Sequence, residues 1–229
     1  MPMREILNKY LEFTEEIREE IRQKYSRELT VMFTDIAGST QYYEQKGDVE
    51  GRAMFQKHNN ILFPIIESHN GRIMKTIGDS IMACFENSSD GVVASANMQK
   101  ALFENNKDGH TEIHIRIGLH IGVSLDETTD AYGTTVNIAA RVSSLASADQ
   151  ILVSETTYNE IKQLKNIRFH SHGPRELKGI KDKVSIYEVL WHQNQVPKEL
   201  MIINTFESTQ KKKPIDDELK VYHTGLRQS

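Results

Sequence analysis

The sequence predicts an α+β domain with a ferredoxin-like β-α-β-β-α-β core, extended by further αβ elements. Short runs of β-branched and other apolar residues alternate with longer segments in which apolar residues recur every three or four positions. Two short runs, 72–76 and 80–85, flank the turn residues Gly78 and Asp79 and therefore predict a hairpin. This order is that of a split βαβ arrangement, in which a sheet has its helices on one face.

The remaining elements follow in a regular order along the chain. Further strands are expected at 29–33, 113–123, 150–153, 167–171 and 184–190. Helices are expected over 39–68 with a break near Gly47, over 88–105 and over 134–146. The core therefore begins with a strand, and a helical segment connects that strand to the hairpin.

The chain divides into three predicted segments: an N-terminal amphipathic helix within 1–27, a central domain over 28–191 and a polar C-terminal extension over 192–229. The apolar residues of the first segment share one helical face: Ile6, Tyr10, Phe13, Ile17 and Ile21. One such stripe cannot bury itself. The helix is therefore expected to pack on its own domain, on a twin helix or on an upstream sensor or regulator.

Composition excludes several classes of protein. A net charge of −4 gives no reason to expect nucleic-acid binding. Cys84 is the single cysteine, so no internal disulfide forms, and this fits a reducing compartment. No apolar run approaches the roughly 18 residues of a membrane helix, and the N-terminus lacks a secretory signal. A cytoplasmic protein is expected.

Asp35 follows a hydrophobic strand and is the first candidate for chemistry. Gly38 would let a phosphate approach the backbone, and the amides of 36–40, at the start of a helix, could face a polyphosphate. The alternative interpretation is an ordinary turn and helix cap.

Asp79 in the hairpin turn is the second candidate. Two carboxylates from adjacent strands, Asp35 and Asp79, would form a hard-oxygen site suited to Mg²⁺ or Mn²⁺. Alternatively, Asp79 is present only because aspartate favours turns.

Asn137 and Arg141 are four residues apart on a predicted helix and so share one face. An amide and a guanidinium there suit the positioning of a sugar and the binding of phosphate. The alternative is a helix with ordinary surface polar groups.

Five sequence blocks together resemble the catalytic domain of class III adenylyl and guanylyl cyclases, over residues 28–190. The blocks are FTDIAGST at 33–40, KTIGDSIMACF at 75–85, IRIGLHIG at 115–122, DAYGTTVNIAAR at 130–141 and ELKGIKDKVSIYEV at 176–189. Single blocks are ambiguous, but five in order at suitable separations are specific. One departure is Tyr132, where the family usually has Trp or Phe.

The resemblance implies a role for each matching position. Asp35, Asp79 and the backbone of Ile36 would bind two divalent ions, Mg²⁺ or Mn²⁺, while Lys75 and Asp130 would read adenine. The other implied positions are Asn137 for the ribose, Arg141 for the phosphate charge of the transition state, Lys178 or Lys181 for the triphosphate, and Ile36, Ala37, Gly38, Ser39 and Thr40 as weaker phosphate contacts.

The implied activity is conversion of ATP to 3′,5′-cyclic AMP and pyrophosphate at a homodimer interface. The family divides each site between two domains, and this chain has both sets of residues, so two equivalent sites are expected. Lys75 can donate to adenine N1 and Asp130 can accept from the N6 amino group, whereas guanine presents the opposite pattern. The alternatives are a cyclase for GTP or a pyrimidine nucleotide, and a catalytically silent nucleotide-binding regulatory module.

Overall fold

The computed structural model describes residues 15–109, 111–127, 130–165 and 167–192. Its strands are β1 (Ser26–Ile36), β2 (Arg72–Ile77), β3 (Ser80–Phe85), β4 (Ile115–Asp126), β5 (Ala131–Tyr132), β6 (Ile151–Ser154), β7 (Arg168–Arg175) and β8 (Val184–Leu190). Its helices are α1 (Glu15–Tyr25), α2 (Ser39–Lys46), α3 (Asp48–Ser68), α4 (Ser88–Asn106), α5 (Thr134–Leu145) and α6 (Glu155–Ile161).

The strands form one sheet in the order β2-β3-β1-β4-β6-β8-β7, and β5 pairs with β4. Neighbours are antiparallel except β4 and β6, which are parallel. The predicted β-α-β-β-α-β core is confirmed, with α2 and α3 together forming its first helical connection. β1 lies in the interior of the sheet between β3 and β4, so groups at its end are held by both neighbours.

The two faces of the sheet bury different helices because successive side chains of a strand point to opposite sides. On one face, Met32 of β1 packs into a core with Leu62 of α3 and Met98 of α4. On the other face, Phe33 packs in a cluster that contains Ala139 of α5. The expectation of helices on one face is therefore correct for the two core helices and wrong for α5, whose apolar side covers the opposite face.

Two glycines of β4 allow α5 to lie directly against the sheet. A Cβ added at Gly118 would lie 2.1 Å from the backbone nitrogen of Ser143, and one at Gly122 would lie 2.7 Å from Thr135 Oγ1. Any side chain at these positions would push the helix away. The glycines of the IRIGLHIG block therefore fix the distance between α5 and β4.

The described ends of the domain differ from expectation in detail. β1 begins at Ser26, three residues before the predicted strand. Its first three residues are polar, but they pair with the end of β4 and so extend the strand. Ile21 of α1 is buried, which agrees with its predicted place on an apolar face. Ile6, Tyr10, Phe13 and nearly all of the extension 192–229 lie outside the described residues. Among the described residues, no helix is both long and apolar enough to span a membrane.

Candidate active site

Asp35 lies near the carboxyl end of β1 on the face of the sheet that α5 covers. Its carboxylate is held from both neighbouring strands: Ser80 Oγ of β3 donates to Oδ1 at 2.8 Å, and Arg116 Nε of β4 donates to Oδ2 at 2.7 Å. Arg116 Nη2 makes a second, close contact with Oδ2. The side chain is 21% exposed, so solvent still reaches the carboxylate.

Asp79 occupies the tip of the β2–β3 hairpin, as the hairpin prediction required. Gly78, with φ of 63°, takes the first central turn position, where two-residue hairpin turns favour glycine. Asp79 precedes Ser80 directly, and Ser80 donates to Asp35. The strand register therefore places the backbone of Asp79 near the end of β1.

A metal ion at this position would have mainly carboxylate and backbone oxygens available. No group of three or more His, Cys, Asp or Glu residues in the described part of the chain has metal-binding geometry. Mg²⁺ is commonly held by one or two carboxylates together with substrate phosphates, so two aspartates suit it. Ile36 has its side chain buried in the core, which leaves only its backbone to face the site.

Residues 36–40 turn from β1 into α2. The amide of Ala37 already donates to the carbonyl of His114 at 2.8 Å, so it is engaged in the protein itself. Gly38, with φ of 77°, is the N-cap residue of α2, and because glycine has no side chain it does not cap the free amides of the helix. The amides at the start of a helix lack partners within that helix, which leaves the first turn at Ser39 and Thr40 as the available phosphate contact.

Lys75 of β2 and Asp130, just before β5, form an ion pair. Lys75 Nζ donates to Asp130 Oδ2 at 2.5 Å, and the Ala131 amide donates to Oδ1 at 2.8 Å. Burial raises the pKa of Asp130, but the hydrogen bonds from Lys75 and the Ala131 amide together have the larger, opposite effect, so the pKa lies below its usual value. The two predicted base-reading residues are therefore in contact, and Asp130 is a carboxylate at neutral pH.

Asn137 and Arg141 are both exposed on α5. Neither makes a side-chain hydrogen bond or ion pair with any residue that the structure describes. The inward face of α5 packs through Ala139 and Val142, so the two polar residues project from its other side. No hydrogen bond or ion pair within the described chain connects them to Asp35.

Lys178 and Lys181 are exposed on the connection between β7 and β8. Leu177 and Ile180 of this connection pack in a cluster with Val142 of α5. The lysines thus lie on the side of the domain that includes α5, and two strands, β4 and β6, lie between β1 and the β8–β7 pair. Both lysines are exposed on the same connection, so both stay candidates for the triphosphate contact.

Arg116 is a site residue that the sequence prediction missed. It pairs directly with Asp35 across β1 and β4, and its guanidinium contacts the Asp35 carboxylate. The signal was available in IRIGLHIG, because an arginine between two buried isoleucines must point to the opposite face of the strand. Identifying its partner, however, required the strand register.

His58 of α3 was also missed. It is buried between the core residues Met54 and Leu62 of the same helix, and its pKa is lowered by burial, against the charges of Asp79 and Asp35, which raise it. Nδ1 donates to Asn59 Oδ1 at 3.0 Å, while Nε2 is buried without a partner among the described residues. His58 is therefore a neutral imidazole at neutral pH.

The strand order and the placement of the helices define the fold of a class III nucleotidyl cyclase domain. The chain belongs to the family described as "Adenylate and Guanylate cyclase catalytic domain", which it matches over residues 21–190. The predicted family and fold are thereby confirmed.

Individual relatives agree on the family and differ in their nucleotide. The chain is 26% identical over 172 residues to putative adenylate cyclase 3 of Rhizobium meliloti, covering 74% of this chain and 29% of that protein. Among solved structures, the adenylyl cyclase CyaB of P. aeruginosa superposes with a TM-score of 0.62 at 25% identity, over 75% of this chain and 98% of that one. The guanylate cyclase domain from Catenaria anguillulae, solved in complex with GTP, superposes with a TM-score of 0.63 at 24% identity, over 72% of this chain and 96% of that one.

Proposed function

We propose that this domain converts ATP to 3′,5′-cyclic AMP and pyrophosphate. The observation that favours ATP most directly is the 2.5 Å contact between Lys75 and Asp130. A fixed donor beside a fixed acceptor matches N1 and the N6 amino group of adenine. Guanine would set N1–H against the lysine and O6 against the carboxylate, leaving buried polar groups unpaired.

In the reaction the ribose 3′-hydroxyl loses its proton to solvent and its oxygen bonds to the α-phosphorus, while the bond from the α-phosphorus to the bridging oxygen of the β-phosphate breaks and pyrophosphate leaves. Asp35, Asp79 and the Ile36 carbonyl would hold two divalent cations, Mg²⁺ or Mn²⁺, whose charge neutralises the triphosphate and activates the hydroxyl. Because Arg116 contacts the Asp35 carboxylate, a cation held by Asp35 would compete with the guanidinium for the same oxygens. A guanidinium at this position would also suit a phosphate oxygen.

Asn137 and Arg141 would act on the sugar and on the reacting phosphate. Asn137 would orient the ribose so that the 3′-hydroxyl lies in line with the bond that breaks. Arg141 would stabilise the charge that grows on the phosphate, and loss of such a group typically lowers the rate by about 10²–10³. Lys178 or Lys181 would contact the triphosphate.

A homodimer would complete each site. Asn137 and Arg141 are exposed. Among the described residues no hydrogen bond or ion pair joins them to Asp35 or Asp79, so a second copy would supply them to these acids. α1 would transmit a signal from an upstream sensor or regulator. The chain spans 29% of its Rhizobium meliloti relative, which leaves room in that protein for such a part.

The test is identification of the product from each of the four nucleoside triphosphates with Mg²⁺ or Mn²⁺. We expect cyclic AMP, formed with a higher kcat/KM than cyclic GMP, and no product from Asp79→Asn. Asp108→Asn, an exposed acid beyond α4, is the matched control and should retain activity. Faster turnover of GTP or a pyrimidine nucleotide would make the protein a different cyclase. A dimer that binds nucleotide without turnover would be a regulatory module.

A further inference from the structure

Two basic side chains of β2 hold the connection between β4 and β5. Arg72 Nη1 donates to the Glu127 carbonyl at 2.7 Å, and Arg72 Nη2 forms a close ion pair with Asp126 Oδ1 at the end of β4. Further along β2, Lys75 holds Asp130, which precedes β5. Arg72 and Lys75 therefore bind the two ends of one connection, of which the structure describes Asp126, Glu127 and Asp130.

The Arg72 contacts reach across the sheet. β2 and β4 are not neighbours, because β3 and β1 lie between them in the strand order. A cavity of about 680 Å³ lies beside the Arg72–Asp126 pair, and Leu29 and Cys84 are among its other lining residues. Close packing therefore does not fix the distance between the connection and β2 on that side, whereas the polar contacts of Arg72 do.

The backbone couples the two ends of the connection. The Glu127 amide donates to the Asp130 carbonyl at 2.8 Å, while the Glu127 carbonyl accepts from Arg72. The Ala131 amide in turn donates to Asp130 Oδ1 at 2.8 Å. A displacement of Glu127 would therefore shift the Asp130 carboxylate relative to Lys75.

An arginine suits this position better than a lysine. Its planar guanidinium has several donors in a fixed arrangement, so it can hold a carboxylate and a carbonyl at the same time, whereas a lysine is a single point charge. The side chains of Arg72 and Asp126 are 39% and 22% exposed. Because partly exposed ion pairs contribute little to stability, removal of this pair should leave the fold intact.

We propose that Arg72 is a positioning residue for base recognition, which acts through Asp126 and Glu127 to place the Asp130 carboxylate. With Asp130 held beside Lys75, an acceptor and a donor face the 6-amino group and N1 of a 6-aminopurine. Without Arg72 the carboxylate loses its fixed direction, and discrimination against a 6-oxopurine weakens. This inference rests on the proposed function, since it assumes that a nucleobase binds at the Lys75–Asp130 pair.

The test compares Arg72→Gln, which removes the charge, with Arg72→Lys, which keeps it. KM and kcat are measured for ATP and GTP, and binding of 3′-deoxy-ATP and 3′-deoxy-GTP, which lack the attacking hydroxyl, is measured by calorimetry with Mg²⁺. We expect Arg72→Gln to raise the KM for ATP and the Kd for 3′-deoxy-ATP about three- to tenfold, from the loss of a hydrogen bond made by a charged group. The values for the guanine nucleotides should change less, and kcat less than KM.

Two further variants make this test specific. Arg72→Lys should lie between wild type and Arg72→Gln. The matched control is Arg168→Gln, an exposed arginine of the opposite edge strand β7, which should keep the wild-type values.

A double-mutant cycle tests whether Arg72 acts through Asp126. Asp126→Asn should weaken 3′-deoxy-ATP less than Arg72→Gln does, because the contact of Arg72 with the Glu127 carbonyl remains. The double variant should bind no more weakly than Arg72→Gln alone, since both changes remove the same ion pair. Fully additive losses would mean that the two residues act independently and would overturn the inference.

An unchanged ATP-to-GTP ratio in Arg72→Gln would also overturn the inference, as would equal losses for both nucleotides, because a purely structural role affects both alike. Failure of the proposed function has a different signature. If wild type forms no cyclic product but Arg72→Gln still weakens 3′-deoxy-ATP selectively, the inference stands and the cyclase assignment falls. If wild type cyclises ATP and the ratio does not move, the reverse holds. A wild type that binds neither analogue would overturn both.

Discussion

His120 of β4 illustrates how burial changes the acid–base behaviour of one side chain. The residue is 7% exposed, its Nδ1 lies 2.7 Å from Ser154 Oγ, and burial lowers its pKa from 6.5 to about 4. Between pH 6.5 and about 4, His120 is protonated in the unfolded chain but stays neutral in the folded protein. The contribution of His120 to stability is therefore complete above pH 6.5 and is lost as the pH falls towards 4.

This shift predicts an acid sensitivity that a single substitution removes. Between pH 7 and pH 4 the shift corresponds to about 3 kcal/mol of unfolding free energy, at roughly 1.4 kcal/mol per pKa unit. His120→Asn should flatten the pH dependence by about that amount, measured by urea unfolding at several pH values. Thr156→Val, which removes a neighbouring hydroxyl but leaves the imidazole, should keep the wild-type slope. Equal slopes in wild type and His120→Asn would contradict the assignment.

Single residues could be predicted from the sequence where a local pattern identifies them. Asp79 lies in its predicted turn, because a tight turn is a local feature. Asp35 was expected just past its strand, but β1 continues to Ile36 and pairs Asp35 with Arg116, so Asp35 is the second-last residue of the strand. Arg116 was missed because its partner is 81 positions away along the chain.

At the scale of elements, the packing of α5 on β4 allows a sharp prediction. Gly118→Ala would place a methyl group about 2 Å from the Ser143 backbone nitrogen, and a helix backbone cannot yield as a flexible side chain does. We expect a loss of about 1–3 kcal/mol or more in unfolding free energy, from overpacking. Urea unfolding at neutral pH is the measurement.

The matched control for Gly118 is Gly109→Ala. An added Cβ at Gly109 meets nothing within 4 Å, and its φ of 70° adds only backbone strain. That strain costs roughly 1 kcal/mol for a non-glycine residue. A Gly118→Ala protein no less stable than Gly109→Ala would show that α5 can move away from the sheet at little cost.

Most helices and strands could be predicted because the periodicity of their apolar residues is strong. The arrangement of the strands in the sheet could be predicted only in part. The break between α2 and α3 occurs at Gly47 as expected, and the hairpin strands match within one residue. β5 and α6 were not predicted: β5 has two residues and α6 has seven, too few to show a period. The strand order and the place of α5 on the second face depend on long-range pairing, which alternation along one strand does not specify.

At the scale of the whole molecule, the proposed residues form two groups on one chain. The acids Asp35 and Asp79 lie at the end of β1 and the hairpin tip, while Asn137 and Arg141 project from α5. If each site is assembled from two copies, a chain defective in one group can still supply the other. Mixed dimers therefore distinguish a shared site from a site within one chain.

We expect Asp35→Asn and Arg141→Ala each to be inactive alone and to recover activity when mixed. In a mixed dimer one site contains both substitutions and the other contains neither. With random pairing of equal amounts, about half the dimers are mixed, so recovery should reach about a quarter of wild-type activity. The measurement is cyclic AMP formation after the two chains are refolded together.

A second mixture makes the interpretation specific. Asp35→Asn and Asp79→Asn damage the same group, so every site in their mixed dimer lacks one acid and no activity should return. If both mixtures recover, an effect other than site sharing restores the activity. If neither recovers while mixed dimers are shown to form, each chain uses its own acids with its own α5, and the two groups must then approach each other within a single chain.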